Sequence, residues 1–185
     1  ITDLPEGRSR IEVKAGQEAK RLTVTNHPTE GPVFSGPHLP LTKCVTTDFG
    51  LAEAQPPLCD APSKVSYRYV DSAGEFHPLP DPAQVPPDAA TVTSNGSTHP
   101  FIVRDERGVI NRGVYEISAF DPSPTTSAAE WDPSHWNRRL IFRFGGGCGT
   151  LYTQGANLLD PPDPDELKAG YATATSTFDT FQVHC

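Results

Sequence analysis

The pattern of apolar and polar residues predicts a chain made mostly of short strands. Two runs that alternate apolar and polar residues, Ile11–Val13 and Leu22–Val24, flank the turn-prone segment KAGQEAK and predict a β-hairpin. The segment KVSYRYV (64–70) predicts a further strand, and HPFIVRDERG (99–108) and VINRGVYEISAF (109–120) predict two more.

The predicted hairpin needs partners, because two strands in isolation are marginally stable. It resembles the last two strands of an immunoglobulin-like β-sandwich, so we assign residues 1–27 to the end of such a module and residues 28–185 to a second domain. The first part of that domain is rich in proline. Its segment HPLPDPAQVPPDAA (77–90) has too many prolines for a helix or a central strand, and we expect it to run extended over a surface.

The last third of the chain has a different pattern. An apolar strand, WNRRLIFRFGGG (136–147), is followed by a helical segment, LLDPPDPDELKAG (158–170), and by a second strand, GYATATSTFDTFQV (170–183). Within the helical segment, Asp163 is placed to cap the helix, with Pro164 at the first position and Glu166 reaching back. A strand, a glycine loop, a helix and a strand in that order are typical of a parallel sheet, so the predicted fold class is α/β.

Charge and composition exclude several classes of function. The formal net charge is −8, with 23 acidic and 15 basic side chains and no basic cluster, which argues against a nucleic-acid partner. No apolar stretch approaches the roughly 18 residues that cross a bilayer, so no membrane-spanning segment is predicted. The absence of methionine and the acidic, proline-rich composition favour an exported protein, secreted or periplasmic.

The four cysteines predict disulfides rather than a metal site. None of them forms a C-x-x-C pair, which leaves zinc without support, and no motif predicts a cofactor. We expect Cys44 to pair with Cys59 across a proline-rich loop, and Cys148 to pair with Cys185. The alternative is four buried free thiols in a reducing compartment. The acidic cluster around Asp163 lacks the alternating spacing of a calcium loop.

The glycine block FGGGCG (144–149) carries the candidate chemistry. Glycines directly after a strand allow backbone N–H groups to converge on one ligand atom. The block lacks the lysine of a phosphate loop and the spacing of a dinucleotide fingerprint, which leaves the oxyanion loop of an ester hydrolase. A tight turn without chemistry is the alternative.

Three further side chains invite a catalytic interpretation. The thiol of Cys148 would need a lowered pKa to act as a nucleophile, and pairing with Cys185 is favoured over that role. Neighbouring residues of an extended strand point to opposite faces, so His184 beside Cys185 is interpreted as a structural or supporting histidine. His135 is interpreted as a loop histidine.

Three blocks of the chain resemble a family of secreted bacterial α/β-hydrolase-like proteins of unknown function, distantly similar to the tannase and feruloyl esterase group. These blocks are TNHPTEGPVFSGPH, WNRRLIFRFGGGCGTLYTQG and LKAGYATATSTFDTF. The resemblance implies that residues 28–185 form the N-terminal part of an α/β-hydrolase-type sheet, with the oxyanion loop after its third strand. It also implies an ester hydrolase whose candidate oxyanion donors are the backbone amides of Gly145, Gly146, Gly147 and Cys148. Phe144 departs from the pattern, since many lipases have histidine there.

The serine that such a loop would serve is missing. The sequence contains no G-x-S-x-G motif, which carries the nucleophile of these hydrolases. We therefore expect the chain to be part of a processed or multi-chain serine esterase whose companion polypeptide supplies the Ser-Asp-His triad for an ester substrate. Two alternatives stay open, a non-catalytic β-rich binding or surface module and the small chain of a self-processed amidohydrolase.

Overall fold

The computed structural model describes residues 5–16, 18–26, 41–110, 112–124, 131–144, 153–155, 159 and 161–178. Within these ranges the elements are β1 (Gly7–Ala15), β2 (Glu18–Asn26), β3 (Lys64–Val70), β4 (Phe76–Pro78), β5 (Thr91–Ser94), β6 (Ser97–Pro100), β7 (Ile102–Ile110), β8 (Gly113–Phe120), β9 (Leu140–Phe142), α1 (Pro164–Lys168) and β10 (Ala172–Ser176). Short 3-10 turns lie at Thr46–Phe49 and Pro133–His135.

The described strands form one large sheet and two hairpins. The six-stranded sheet has the order β4-β3-β7-β8-β10-β9, while β1 pairs only with β2 and β5 only with β6. Every neighbouring pair in the large sheet is antiparallel except β9 and β10, which are parallel over three residues. Strand β10 lies between β8 and β9 and its five residues are buried, whereas β9 is the last strand of the described sheet.

The predicted α/β class is wrong for this chain. Strands and bridges account for 46% of the described residues and helices for 9%, and the sheet is mixed and mainly antiparallel. The physical reason is connectivity, since β7 reverses into β8 across two residues, and so short a connection can only join antiparallel strands. The one described α-helix, α1, has five residues, too few to cover a sheet face.

Several local predictions are confirmed. Strand β3 has the predicted bounds, 64–70, and the N-terminal hairpin forms with Ile11 opposite Leu22. Asp163 caps α1, its carboxylate accepting a hydrogen bond from the amide of Asp165 at 2.8 Å. Glu166 takes another partner than predicted, because it binds the side chain of Arg143, the residue directly after β9. The assignment of the hairpin to an immunoglobulin-like module stays a prediction.

The larger part of the core lies on the side of the sheet to which α1 packs, and a smaller cluster of Tyr69, Leu79 and Ile102 lies on the other side. The main cluster of buried side chains includes Phe101, Val103, Phe120 and, from α1, Leu167, which is fully buried. A second cluster joins Val45 and its neighbours in the 41–61 segment to Val114 at the start of β8. These two clusters fix α1 and the 41–61 segment against the ends of β8 and β10, where the candidate site lies.

Candidate functional site

The candidate oxyanion donors, Gly145 to Cys148, lie outside the described residues, as do His184 and Cys185. The oxyanion role and the Cys148–Cys185 pairing therefore stay predictions. The structure does describe residues 131–144, which reach the first residue of the glycine block, and residues 153–155, which begin four positions after its last residue.

The flank before the block is the edge strand β9. Phe142 pairs with Ala174 of β10, and the next amide, that of Arg143, donates to the carbonyl of Ala174 at 3.1 Å. The guanidinium of Arg143 binds the Glu166 carboxylate of α1 at 2.5 Å. The strand is thus held by both β10 and α1 up to Arg143. Phe144 follows with a side chain that is 79% exposed.

The flank after the block is bound to the segment that precedes the 3-10 turn at 46–49. Thr153 forms a parallel bridge with Lys43. The side chain of Gln154 is completely buried, its Oε1 accepts from the amide of Val45 at 2.9 Å, and its Nε2 donates to the carbonyl of Cys59 at 2.7 Å. A buried amide side chain with both ends hydrogen-bonded fixes the backbone that carries it.

The predicted disulfide between Cys44 and Cys59 is confirmed, with Cα atoms 5.2 Å apart. Cys44 lies between Lys43 and Val45, the two residues whose backbones bind the 153–154 segment. The disulfide therefore joins two chain segments that both hold Gln154. Its covalent link limits the separation of the Val45 amide and the Cys59 carbonyl, the two hydrogen-bond partners of the Gln154 side chain.

Buried polar side chains run across the sheet on the face that carries the core. Strand register places Thr173 opposite Ser118, and Ser118 opposite Asp105. The Ser118 hydroxyl donates to Asp105 at 2.6 Å, and Asp105 is bound at two points by Arg68. A serine hydroxyl that donates to a carboxylate already neutralised by an arginine is not an activated nucleophile. This row stabilises the sheet.

Charge within this row is balanced by close ion pairs. Burial acts against the charged form of Arg68, but the hydrogen bond and the charge of Asp105 outweigh it and raise the pKa of that guanidinium. Glu116 lies between Arg68 at 3.4 Å and Arg107 at 2.5 Å. On the other face of β8, burial, followed by a hydrogen bond to Glu106, raises the pKa of Tyr115 to about 12. The contact with Asp105 thus keeps the Arg68 guanidinium charged, and burial keeps the Tyr115 hydroxyl neutral.

A cavity of about 420 Å³ opens on the opposite face of the sheet. Its walls include the indole rings of Trp131 and Trp136, whose centroids are 5.8 Å apart, together with Leu140 and the guanidinium groups of Arg104 and Arg138.

Comparison with known proteins assigns the chain to a family. The model of a tannase-like family of unknown function (DUF6351) matches residues 1–185, the whole of the sequence. The chain belongs to this tannase-like family. No curated protein and no solved structure matches it. The resemblance to the tannase group drawn from the sequence is therefore confirmed at the level of the family.

Sequence analysis interpreted His135 of this tannase-like chain correctly but did not reveal Gln154. His135 is a loop histidine as predicted, in a 3-10 turn, with Nδ1 at 2.9 Å from Ser94 Oγ and the ring edge-on to Phe120. Gln154 was missed, because its side-chain partners Cys59 and Val45 are 95 and 109 residues away. A polar residue directly before a glycine was the one local signal, and it is common in turns.

Two negative findings concern the described part of this tannase-like chain. No group of three or more His, Cys, Asp or Glu side chains is arranged there to hold a metal ion. No helix there combines the length and the apolar character needed to cross a membrane.

Proposed function

We propose that this chain is part of an exported serine ester hydrolase and supplies its oxyanion loop. The observation that carries the proposal is the match of the whole chain to a tannase-like family. The glycine block supports it, because residues 145–152 connect two flanks that are both anchored, β9 through β10 and 153–155 through Gln154. Anchored flanks are what a preorganised hydrogen-bond donor site requires.

The chemistry proposed for the block is stabilisation of a tetrahedral intermediate. When a serine attacks an ester carbonyl, the carbonyl oxygen gains negative charge, and amides already aimed at it lower the barrier. The amides of Gly145 to Cys148 are the proposed donors. One such donor contributes about 3 kcal/mol to the transition state in enzymes of known mechanism. The ester bond is cleaved through an acyl-serine, which water then hydrolyses.

The nucleophile, acid and histidine are proposed to come from further polypeptide, either a companion chain or another part of the same precursor. The sequence has no G-x-S-x-G motif. Apolar side chains on and beside β9 support a contact with additional protein, because Leu140, Phe142, Phe144 and, on β8, Ile117 are 54%, 38%, 79% and 37% exposed. Clustered exposed apolar side chains of this kind mark interaction surfaces.

Export is supported by the Cys44–Cys59 disulfide, since structural disulfides persist in oxidising compartments and are rare in the cytosol. We therefore propose a secreted or periplasmic protein. The substrate class that follows from the proposed chemistry is a carboxylic ester.

A fluorophosphonate probe tests the proposal on the complete protein that contains this chain. We expect one serine to be labelled, and peptide mapping to place it in a G-x-S-x-G segment outside residues 1–185. Loss of labelling after heat unfolding is the control for specificity. A complete protein that neither labels nor hydrolyses short-chain nitrophenyl esters contradicts the proposal, and so does a label on Ser94 or any other serine of this chain.

A pair of substitutions at one position tests the role of the backbone amide. Cys148→Pro removes the N–H group at that position, whereas Cys148→Ala removes the thiol and keeps the amide. We expect Cys148→Pro to lower kcat by about 100-fold or more and Cys148→Ala to retain most of it. The reverse order would identify the thiol as the reacting group. Cys185→Ala is the control for loss of the predicted disulfide.

A second candidate function is a non-catalytic β-rich binding module, and the cavity beside Trp131 and Trp136 favours it. Its volume of about 420 Å³ is within the range of small-molecule sites, roughly 300 to 1,000 Å³. Absence of labelling in the complete protein, together with quenching of tryptophan fluorescence by a small aromatic ligand, would support this function instead.

A further inference from the structure

Four neighbouring strands form the floor of the cavity beside the two tryptophans. Strand register places Leu140 beside Ala172 and Arg104 beside Ala119, and all four residues line the cavity. The sheet order β7-β8-β10-β9 puts the two alanines between the longer side chains of Arg104 and Leu140. Because an alanine side chain ends at its Cβ, the surface of the sheet is lowest at Ala119 and Ala172.

The indole rings of Trp131 and Trp136 form an apolar wall beside this floor. The Trp136 ring is held in place, since its Nε1–H donates to the carbonyl of Arg139 at 2.9 Å. The Trp131 ring is tilted by 46° relative to it, with the two centroids 5.8 Å apart. Indole rings provide large, rigid apolar surfaces, and other rings pack well against them. This part of the cavity therefore fits the apolar ring of a small ligand.

Arg138 supplies the charge of the cavity. Arg104 is the other cation of the lining, but its Nη2 lies 3.0 Å from Glu106 Oε2, so its charge is already compensated. Arg138 is exposed, has no ion pair among the described residues, and shares the cavity with no acidic residue of the described lining. A guanidinium group donates hydrogen bonds and accepts none, and its planar fork matches the two oxygens of a carboxylate.

The backbone that carries Arg138 is fixed in an unusual conformation. Arg138 has φ of +65°, in a region that residues other than glycine rarely adopt. Asn137 is held at two points, because its amide donates to the carbonyl of Gly170 at 2.9 Å and its Nδ2 donates to the carbonyl of Ala169 at 3.0 Å. Its Oδ1 also accepts from the amide of Arg139 at 2.9 Å. Backbone strain of this kind is concentrated at functional sites.

We propose that this cavity binds a small carboxylate whose body is an apolar ring, saturated or aromatic. The ring packs against the indole rings and the alanine floor, and Arg138 pairs with the carboxylate. The group recognised is a free carboxylate, because an ester has no charge to pair with the guanidinium. The proposal concerns binding alone and does not rest on ester hydrolysis.

Calorimetric titration of the complete protein that contains this chain tests the site with two probes of similar shape. Cyclohexanecarboxylate is charged at pH 7, whereas cyclohexanecarboxamide has the same ring and no charge. We expect the carboxylate to bind about 10-fold more tightly than the carboxamide, since hydrogen bonds to charged groups are stronger than those between neutral groups.

Two substitutions of neighbouring arginines test the role of the guanidinium. Arg138→Gln should lower the affinity for cyclohexanecarboxylate by about 10-fold and change the affinity for the carboxamide by less than about twofold. Arg139→Gln removes the same charge from the next residue, which is not part of the cavity lining, and should leave both affinities unchanged. The comparison separates a contact with the ligand from a general attraction to positive charge.

Two further variants separate the apolar contact from the charge and binding from folding. Trp131→Ala should weaken both probes by a similar factor, roughly 5- to 10-fold, because it removes apolar surface and no charge. Arg138→Gly should abolish the preference for the carboxylate without lowering the melting temperature, because glycine adopts a positive φ without steric cost. A residue that only stabilised the turn would give a lower melting temperature in this variant.

The proposal is overturned if the unmodified protein binds neither probe or binds both equally. Equal losses of carboxylate affinity in Arg138→Gln and Arg139→Gln overturn it as well. If Trp131→Ala does not fold, the two arginine variants decide the question, because both side chains are exposed. A protein that shows the expected preference but is not labelled by fluorophosphonate retains this site and loses the proposed esterase function, so the two failures are distinguishable.

Discussion

Arg68 and Asp105 form a two-point ion pair across adjacent strands of the large sheet. The Arg68 Nε lies 2.5 Å from Asp105 Oδ2, and its Nη2 lies 2.6 Å from Oδ1. Ser66 is the residue directly opposite Asp105, so the pair is diagonal and both side chains share the core face. Asp105 is 1% exposed. The desolvation of a carboxylate so deeply buried is costly unless hydrogen-bonded partners such as these compensate for it.

Removing one partner of this pair should destabilise the fold strongly. Asp105→Ala leaves the Arg68 guanidinium without its main counter-charge and should lower the free energy of unfolding by about 3 kcal/mol or more. Guanidinium chloride denaturation of the purified protein measures the change. The double variant Arg68→Met with Asp105→Leu should recover much of the loss, because it removes both charges together.

The matched control is the exposed cluster around Glu12 on the hairpin. Glu12 lies 4.0 Å from both Lys14 and Arg21, and all three side chains are at least 38% exposed. Glu12→Ala should change the free energy of unfolding by less than about 0.5 kcal/mol. Equal effects at Asp105 and Glu12 would contradict the buried-pair argument.

Asp71 should contribute to stability above acid pH. A hydrogen bond from the Glu75 amide, followed by one from His77 at 2.8 Å, lowers the pKa of this carboxyl below its ordinary 3.8. Folding therefore favours the ionised form, so the stabilisation is complete above 3.8 and is lost as pH falls through the lower, folded-state pKa. Asp71→Asn should flatten the stability profile in that acid range.

Asp121 should have the opposite effect. It is 1% exposed, and burial raises its pKa although the Ser123 amide and the charge of Arg104 act in the other direction. Because the folded-state pKa is raised, the ionised form costs stability at neutral pH, and that cost is relieved as pH falls through the folded value. Asp121→Asn should therefore unfold at higher temperature than the unmodified protein at pH 7, and the difference should shrink towards acid pH. A lower melting temperature at pH 7 would contradict this sign.

Local signals predicted the elements better than their arrangement. The alternation in KVSYRYV gave the bounds of β3, and the Asp163-Pro164 pair marked the start of α1, because both depend on neighbours within a few residues. Sheet order depends on contacts between distant segments. The glycine block between two strands correctly suggested that β9 and β10 are parallel neighbours, but it gave no information on β3, β7 and β8, which make the sheet mainly antiparallel.

The candidate site was predicted only in part for the same reason. The glycines and the Cys44–Cys59 disulfide are visible in the sequence, because consecutive glycines and paired cysteines have few other uses. Gln154, which follows the block in the sequence, has partners about 100 residues earlier, at Val45 and Cys59. A single buried glutamine has no sequence signature, so only the folded structure reveals it.

Gly155 and Gly96 offer a comparison between two causes of strain. Both have a positive φ, +116° and +79°, but a Cβ at Gly155 would collide with Thr177, whereas a Cβ at Gly96 would have nothing within 4 Å. Gly96→Ala should therefore lower the free energy of unfolding by about 1 kcal/mol, from the backbone alone. Gly155→Ala should cost about 3 kcal/mol, since overpacking is added. Similar losses in thermal denaturation would show that the space around Gly155 relaxes.

Removal of the Cys44–Cys59 disulfide should weaken the same structure that Gln154 holds. The bridge closes a sequence separation of 15, for which the loop-entropy model gives about 3 kcal/mol of stabilisation. The Cys44→Ala, Cys59→Ala variant should lose about that amount in guanidinium chloride denaturation.

Adding Gln154→Leu to this variant should cost less than it does in the oxidised protein, because the Cys59 carbonyl that accepts from Gln154 is no longer held in place. Val92→Ala, which lies in a different core cluster from Val45, is the control and should add its full cost on either background. Full additivity for Gln154→Leu as well would show that the disulfide and the glutamine stabilise the chain independently.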